Sequence, residues 1–431
     1  MVSVYNFAAA WLGLVALLVS LASLASAQAP SLDALQQAAR TQRQDPAAQA
    51  AYGRALLRAG RYADAQRSLA AAAQLQRGSQ EPLYDVARVA FARGDYRAAQ
   101  RACQPIARLE KGGVWSRVCQ ARTFLVWNRS ERAFEELQAA LAASPSHFEA
   151  LLALGDAHRL RADIAQAEAA YQRASAVNAQ SSEPALGLGR LYLAARRITD
   201  AVAQLRVAMV RDPDSPDVLY ELGRALGNSP EALQLLTRAI AGRPNWAEPL
   251  VVLGTVALAA GDAGAAANYF QNAVRLNRQL AEAQIGLGRA LAAQGDFRRA
   301  ERSIRTGLSL VPNSPSAGLA LAELFERSNR TEEAFEQYRH AADLDPNGSA
   351  VLRAAELALR LDRNVLAAGY VDRALRTAPT LGAGLALYGD IMAARNDRAQ
   401  AAQYYRRALS EGTGDFDRAR VTAALNALNV R

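Results

Sequence analysis

The sequence predicts an all-α solenoid of about eleven helix–turn–helix repeats, and three observations carry that prediction. Small residues recur in two columns with a period of 34 through almost the whole chain. A large apolar residue stands between the columns, and proline closes many of the repeats. Recurrence at this length signals stacked supersecondary units rather than a single globular core.

The first small column is Gly53, Gly155, Gly189, Gly223, Gly254, Gly288 and Gly389, with Ala87, Ala121, Ala322 and Ala355 in the same slot elsewhere. Twelve residues beyond most of these comes alanine, as at Ala65, Ala167 and Ala300. Seven further on comes another small residue, as at Ala72, Ala174 and Gly307. Leu69, Tyr171, Leu205, Phe270, Ile304 and Tyr405 each stand between the last two. Each repeat therefore reads as two antiparallel helices whose backbones approach where side chains are small, the large residue filling the space they leave. Pro145, Pro213, Pro244, Pro312, Pro346 and Pro379 follow second helices, which proline cannot continue.

Repeat starts fall near Pro46, Gln80, Val114, Phe148, Ser182, Pro216, Ala247, Ala281, Pro315, Gly348 and Gly382, so the array occupies residues 46–411. Its sixth repeat is three residues short: Gly227-Asn228-Ser229-Pro230 replaces the end of the first helix, which should bend the array or interrupt its inner surface. Residues 28–45 predict a lead-in helix built on Leu32, Leu35 and Ala39. Residues 412–431 predict a capping helix built on Phe416, Val421, Leu425 and Leu428, because a solenoid end otherwise exposes its core.

Segments such as LLALGDAHRLRADIAQAEAAYQRASAVNAQ and IGLGRALAAQGDFRRAERSIRTGLSLVPN resemble the tetratricopeptide repeat. The resemblance implies a right-handed superhelix whose first helices line a concave, partner-binding face, with the residue after the glycine column pointing into it. Here that column reads Arg54, Arg88, Arg122, Asp156, Arg190, Arg224, Thr255, Arg289, Glu323, Glu356 and Asp390. Six of the first eight are arginine and the last three are acidic, a polarity that composition alone does not produce.

Two readings of the arginines stand side by side. In one they pair with acids seven residues earlier in the helix pattern (Glu81, Glu149, Glu183, Asp217, Glu248, Glu282), reached in neighbouring repeats; surface pairs of that kind stabilise little. In the other they form the basic half of a groove that takes acidic groups of protein or peptide partners by bidentate hydrogen bonds. Tyr84, Arg88 and Phe91 share one helix face, as do Trp115, Arg122 and Arg129 in the next repeat. Rings beside arginines serve either as interaction anchors or as covers for the seams between repeats.

The net charge is +9, and Lys111 is the only lysine. An arginine bias of this kind also follows from a GC-rich genome; chemically it gives planar, bidentate recognition that lysine would not. The basic charge is interspersed with acids, so nucleic acid is not an expected partner. Residues 7–27 carry no charge and end on Ala25-Ser26-Ala27, which reads as an export signal cleaved before Gln28 in residues 1–27. A retained N-terminal membrane anchor is the alternative, since about 21 apolar residues suffice to span a bilayer. The first reading makes the protein periplasmic.

Cys103 and Cys119 flank Lys111 symmetrically, so an antiparallel helix pair places them at one level. They form either a disulfide or two unpaired core thiols. His147, His158 and His340 have no metal-ligand spacing, and neither metal nor cofactor is expected. The GLGR segments at Gly187 and Gly286 follow no strand and fall inside helices, so they are not phosphate loops. No nucleophile–base constellation is present, and the chain is not expected to be an enzyme. The resulting expectation is a periplasmic scaffold that docks protein partners in its groove, or alternatively a scaffold subunit of a polysaccharide export or secretion system.

Overall fold

A computed structural model describes residues 30–346 and 348–429. The export-signal or anchor segment lies outside the described residues, and no described helix is long and apolar enough to cross a membrane.

The described chain forms eleven helix pairs with one helix before and one after them. Repeats 1 to 6 comprise Pro46–Arg58 with Tyr62–Leu75, Gln80–Ala92 with Tyr96–Leu109, Val114–Val126 with Ser130–Ala143, Phe148–Leu160 with Ile164–Val177, Glu183–Ala194 with Ile198–Arg211, and Pro216–Leu226 with Pro230–Gly242. Repeats 7 to 11 comprise Glu248–Ala259 with Ala263–Leu276, Ala281–Ala293 with Phe297–Leu310, Pro315–Arg327 with Thr331–Leu344, Ala350–Arg360 with Asn364–Thr377, and Gly382–Ala394 with Arg398–Glu411. The chain divides after Pro244, at the end of the shortened sixth repeat, into two compact bodies.

A left-handed residue ends the first helix of every repeat. The series is Gly60, Gly94, Asn128, Ala162, Arg196, Gly227, Gly261, Gly295, Asn329, Asp362 and Asn396, all at φ between 54° and 84°. Apart from Gly227, whose ψ is −123°, each turns the chain back while its N–H bonds one of the last carbonyls of the helix. The following helix is often capped by an aspartate: Asp95, Asp262, Asp296 and Asp397 each accept from a backbone N–H three residues on.

The small columns are where the large residues fit. Tyr171 lies between Gly155 of its own repeat and Gly187 of the next, and Phe270 lies likewise between Gly254 and Gly286. Both rings are almost wholly buried. In each GLGR segment the first glycine makes room for the preceding repeat's ring. The second glycine makes room for its own repeat's Leu205 or Ile304. Glycine is thus kept inside helices, at a cost of roughly 0.5–1 kcal/mol relative to alanine, by a steric need that packing imposes.

The lead-in helix spans Leu32–Thr41 and buries Ala39; Ser31 accepts the Ala34 N–H at 3.2 Å as its cap. The last helix, Arg418–Asn429, buries Val421 against the eleventh repeat, with Phe416, Leu425 and Leu428 packed beside it. It is tied down through Thr413, whose N–H donates to the Thr380 carbonyl at 2.7 Å and whose carbonyl accepts from Gly382 at 2.9 Å. Both terminal helices thus cover the ends of the stack.

Candidate functional site

In the first body the first helices of repeats 1 to 6 face a cavity of about 660 Å3. Of the residues singled out from the sequence, Arg54, Tyr84, Arg88, Phe91, Arg122 and Arg190 all line it. Trp115 is not among the lining side chains. Its ring packs on Tyr84 at 5.1 Å and edge-on against His147 at 4.5 Å, in the seam between neighbouring repeats. Arg224 turns to Glu221 of its own helix at 2.7 Å, and Arg289 belongs to the second body, where it faces Glu323 at 3.7 Å. Arg129 does not share a helix face with Trp115 and Arg122. It lies beyond that helix and stacks on Trp127, 3.5 Å from the ring centre, because the left-handed turn at Asn128 redirects the chain.

The arginines are not an open row facing solvent; each meets carboxylates of the same chain. Arg54 bonds Asp85 at 2.6 Å and Glu81 at 3.4 Å in the next repeat. Arg190 bonds Glu221 at 2.8 Å and Asp217 at 3.3 Å, again in the next repeat. Arg122 pairs with Asp156, which also accepts the Tyr171 hydroxyl at 2.7 Å. Arg88 reaches across the cavity to Glu183 of repeat 5 and lies 3.7 Å from Glu149 of repeat 4, which accepts the Tyr84 hydroxyl at 3.2 Å. Pairing with the next repeat thus describes Arg54, Arg122 and Arg190, whereas Arg88 skips to repeats 4 and 5 and Arg224 pairs within its own helix; the acid column seven residues back supplies Glu81, Glu149, Glu183 and Asp217. Asp156, which stands in the arginine column itself, supplies another partner, and Asp85 and Glu221, which belong to neither column, supply two more. Asp85 and Glu221 sit three residues before the arginine column and are buried, at 4% and 6% exposure. Their spacing was the available signal, since an acid one helical turn before an arginine faces the same side.

The network is electrostatically uneven. Burial raises Glu149 above the ordinary carboxylate range, against the pull of Arg88, with Glu183 adding to the rise. Burial also acts upward on Glu183 and Asp156, but there the arginines win. Arg88 and Arg122 hold Glu183 low, and Arg122 with Arg159 holds Asp156 low. Glu183 stabilises Arg88 strongly in its charged form. The cavity wall therefore offers fixed guanidinium–carboxylate pairs, hydroxyls and the apolar surfaces of Phe91, Leu152 and Leu186. Its lining counts seven arginines against five carboxylates.

Cys103 and Cys119 are bonded to each other, with Cα atoms 5.7 Å apart, and pin the second helix of repeat 2 to the first helix of repeat 3. His158, half-buried, contacts Asp163 through Nδ1 at 3.1 Å and packs on Phe134 at 4.7 Å, a structural role. Among the described residues no group of three or more His, Cys, Asp or Glu is placed to hold a metal ion.

A search of curated proteins finds no match to this chain. Among solved structures it is similar to yeast Tom70, at 13% identity over 89% of this chain and 96% of that one, with a TM-score of 0.47. A tetratricopeptide repeat protein from Parabacteroides merdae is 20% identical over 58% of this chain and all of its own, with a TM-score of 0.42. A thermophilic TPR protein of Thermus thermophilus is 27% identical over 42% of this chain and all of its own, with a TM-score of 0.38. The tetratricopeptide repeat family model matches residues 120–182, 186–247, 251–315, 285–349 and 319–382, more than half of the chain and in register with the helix pairs. Periodicity, helix pairing and family match agree, and the chain belongs to the tetratricopeptide repeat family.

Proposed function

We propose that this chain is a non-catalytic scaffold that docks a segment of a partner protein in the cavity of its first body. Tetratricopeptide arrays are in general protein-binding scaffolds. The observation that carries the more specific reading is the cavity itself: about 660 Å3, walled by paired charges, with Phe91, Leu152 and Leu186 offering apolar contact. A wall of preformed hydrogen-bonding groups costs little ordering when a ligand binds. The lining arginines are the groups that an acidic segment of the partner would meet, by exchanging with the carboxylates that now hold them.

A photo-crosslinking residue placed at Phe91 should capture a partner protein, whereas the same residue at Val210, 82% exposed and absent from the cavity lining, should not. Leu186→Glu should abolish the capture. Equal capture at both positions, or capture only at Val210, would sink the proposal.

Export to an oxidising compartment is part of the same proposal. It is supported by the uncharged segment ending at Ala27 and by the Cys103–Cys119 bond, since such bonds persist where thiols are not kept reduced. The start of the mature chain tests it: a first residue other than one near Gln28 rejects this cleavage site.

A further inference from the structure

The cavity of the first body is closed along one edge by contacts between repeats far apart in the sequence. Arg58, at the end of repeat 1's first helix, donates to the Asp212 carboxylate at 2.8 Å, 154 residues away. Arg243 donates to the Arg58 backbone carbonyl through Nη2 at 2.7 Å and Nε at 3.3 Å, 185 residues away. The same Arg243 guanidinium is anchored on its own side by Asp217 at 2.6 Å. Asp212 and Arg243 hold equivalent positions, each following the second helix of its repeat, so successive repeats present an acid and a base to one end of repeat 1.

Gly60 completes the fit. A Cβ there would stand 2.7 Å from Cγ and 2.9 Å from Cδ of Arg243. Backbone conformation alone does not demand glycine at this slot, because Asn128, Ala162 and Arg196 occupy it with the same positive φ in other repeats. Space for the Arg243 stem is the additional requirement in repeat 1.

We propose that Arg58, Asp212 and Arg243 form an ionic clasp that holds the cavity edge shut and whose release admits the docked segment. Its parts differ in solvent access. Arg58 is 46% exposed, so its bond to Asp212 is open to screening by salt, whereas Arg243 is only 14% exposed and needs the edge to separate before water replaces its partners. The Arg88–Glu183 pair also spans the cavity, joining repeats 2 and 5. Helix packing along the array joins neighbouring repeats, so a few long-range side-chain contacts of this kind determine whether that edge is open.

The admission step rests on the docking reading above, but the clasp does not. Spin labels at Gln66→Cys and Gln234→Cys, both exposed and on the second helices of repeats 1 and 6, report the separation in the full chain by pulsed dipolar spectroscopy. A short, narrow distance distribution at low salt should lengthen and broaden in Asp212→Asn/Arg243→Gln. It should shift the same way in the otherwise unsubstituted labelled chain at 1 M salt, roughly where the Debye length falls to ~3 Å. The salt arm keeps the test decisive should the double variant fold poorly. No change in either arm overturns the clasp. Lengthening accompanied by a higher crosslink yield from Phe91 supports the proposal. Lengthening with an unchanged yield overturns the admission step while leaving docking intact, and absence of Phe91 crosslinks in every variant overturns docking instead.

Discussion

Gly286→Ala tests the principle on which the array is built. A Cβ at this position would lie 2.5 Å from Cζ and 2.6 Å from Cδ1 of Phe270, and closer still to Cε1. The ring has no room to retreat, because a Cβ at Gly254 on its other side would stand only 2.9 Å away. Overpacking a buried ring costs about 1–3 kcal/mol. Alanine's better helix propensity returns roughly 0.5–1 kcal/mol. At the middle of both ranges the net expectation is a loss of about 1 kcal/mol. Gly369→Ala is the control, since Gly369 lies within Asn364–Thr377 with nothing within 4 Å of its Cβ direction. There the propensity gain stands alone, and stability should rise by about 0.5–1 kcal/mol. Urea unfolding followed by hydrogen exchange in helices Ala263–Leu276 and Ala281–Ala293 measures the effect locally, which matters in arrays that do not unfold as one unit. Phe270→Leu in the Gly286→Ala background should recover part of the loss. Strict additivity of the two substitutions, or a Gly286→Ala chain as stable as the parent, would refute the steric account.

Three further outcomes follow from the first body. Arg88→Ala leaves Glu149 and Glu183 facing each other without their shared cation and should cost about 2 kcal/mol, read by urea unfolding; a loss within error of a surface arginine would show the pair to be incidental. Glu183 and Asp156, held low by arginines, stabilise the fold above their unfolded pKa values and lose that contribution as pH falls through their folded ones. Glu149, raised by burial, behaves oppositely: its contribution is present at low pH and lost as pH rises. Glu183→Gln should therefore lower Tm at pH 7 while Glu149→Gln leaves it unchanged or higher, with the gap closing as pH falls through the folded pKa of Glu183; equal losses at pH 7 would contradict the assignment. Reducing Cys103–Cys119, which closes a loop of 16 residues, should destabilise by about 3 kcal/mol, with faster hydrogen exchange across Tyr96–Val126 and none in the second body.

The opposite behaviour of Glu149 and Glu183 shows where sequence reading stopped. Both occupy the same slot of the repeat, two places into the unit, and both were assigned to one acidic column. They differ because burial outweighs Arg88 at Glu149, with Glu183 adding to the rise, whereas Arg88 and Arg122 outweigh burial at Glu183. A helix period identifies the face on which a side chain lies, but not which residues stand opposite when six repeats curve around a space. The arginines illustrate the same boundary. Their column was legible, and pairing with neighbours was one of the two readings. That Arg88 skips to repeat 5, 95 positions on, was not, because the intervening sequence carries no pattern that records the curvature.

What the sequence determined by itself was the repeat: its period, the eleven helix pairs, the short sixth repeat and the covering helices at both ends. These follow from local rules, in that a small residue, a large one and a helix stop recur at fixed offsets whatever lies elsewhere in the chain. Even the symmetric placement of Cys103 and Cys119 is local, since a helix pair brings its two strands of sequence level about the connecting turn. Only the tertiary structure decided that Arg58, Asp212 and Arg243 meet, that Trp115 packs into a seam while Phe91 lines the cavity, and that Arg122 is satisfied by Asp156. Those contacts depend on small rotations between repeats summed over several of them. Each rotation is set by how the large residues fill the glycine slots, so the sum is a property of packing rather than of any one segment.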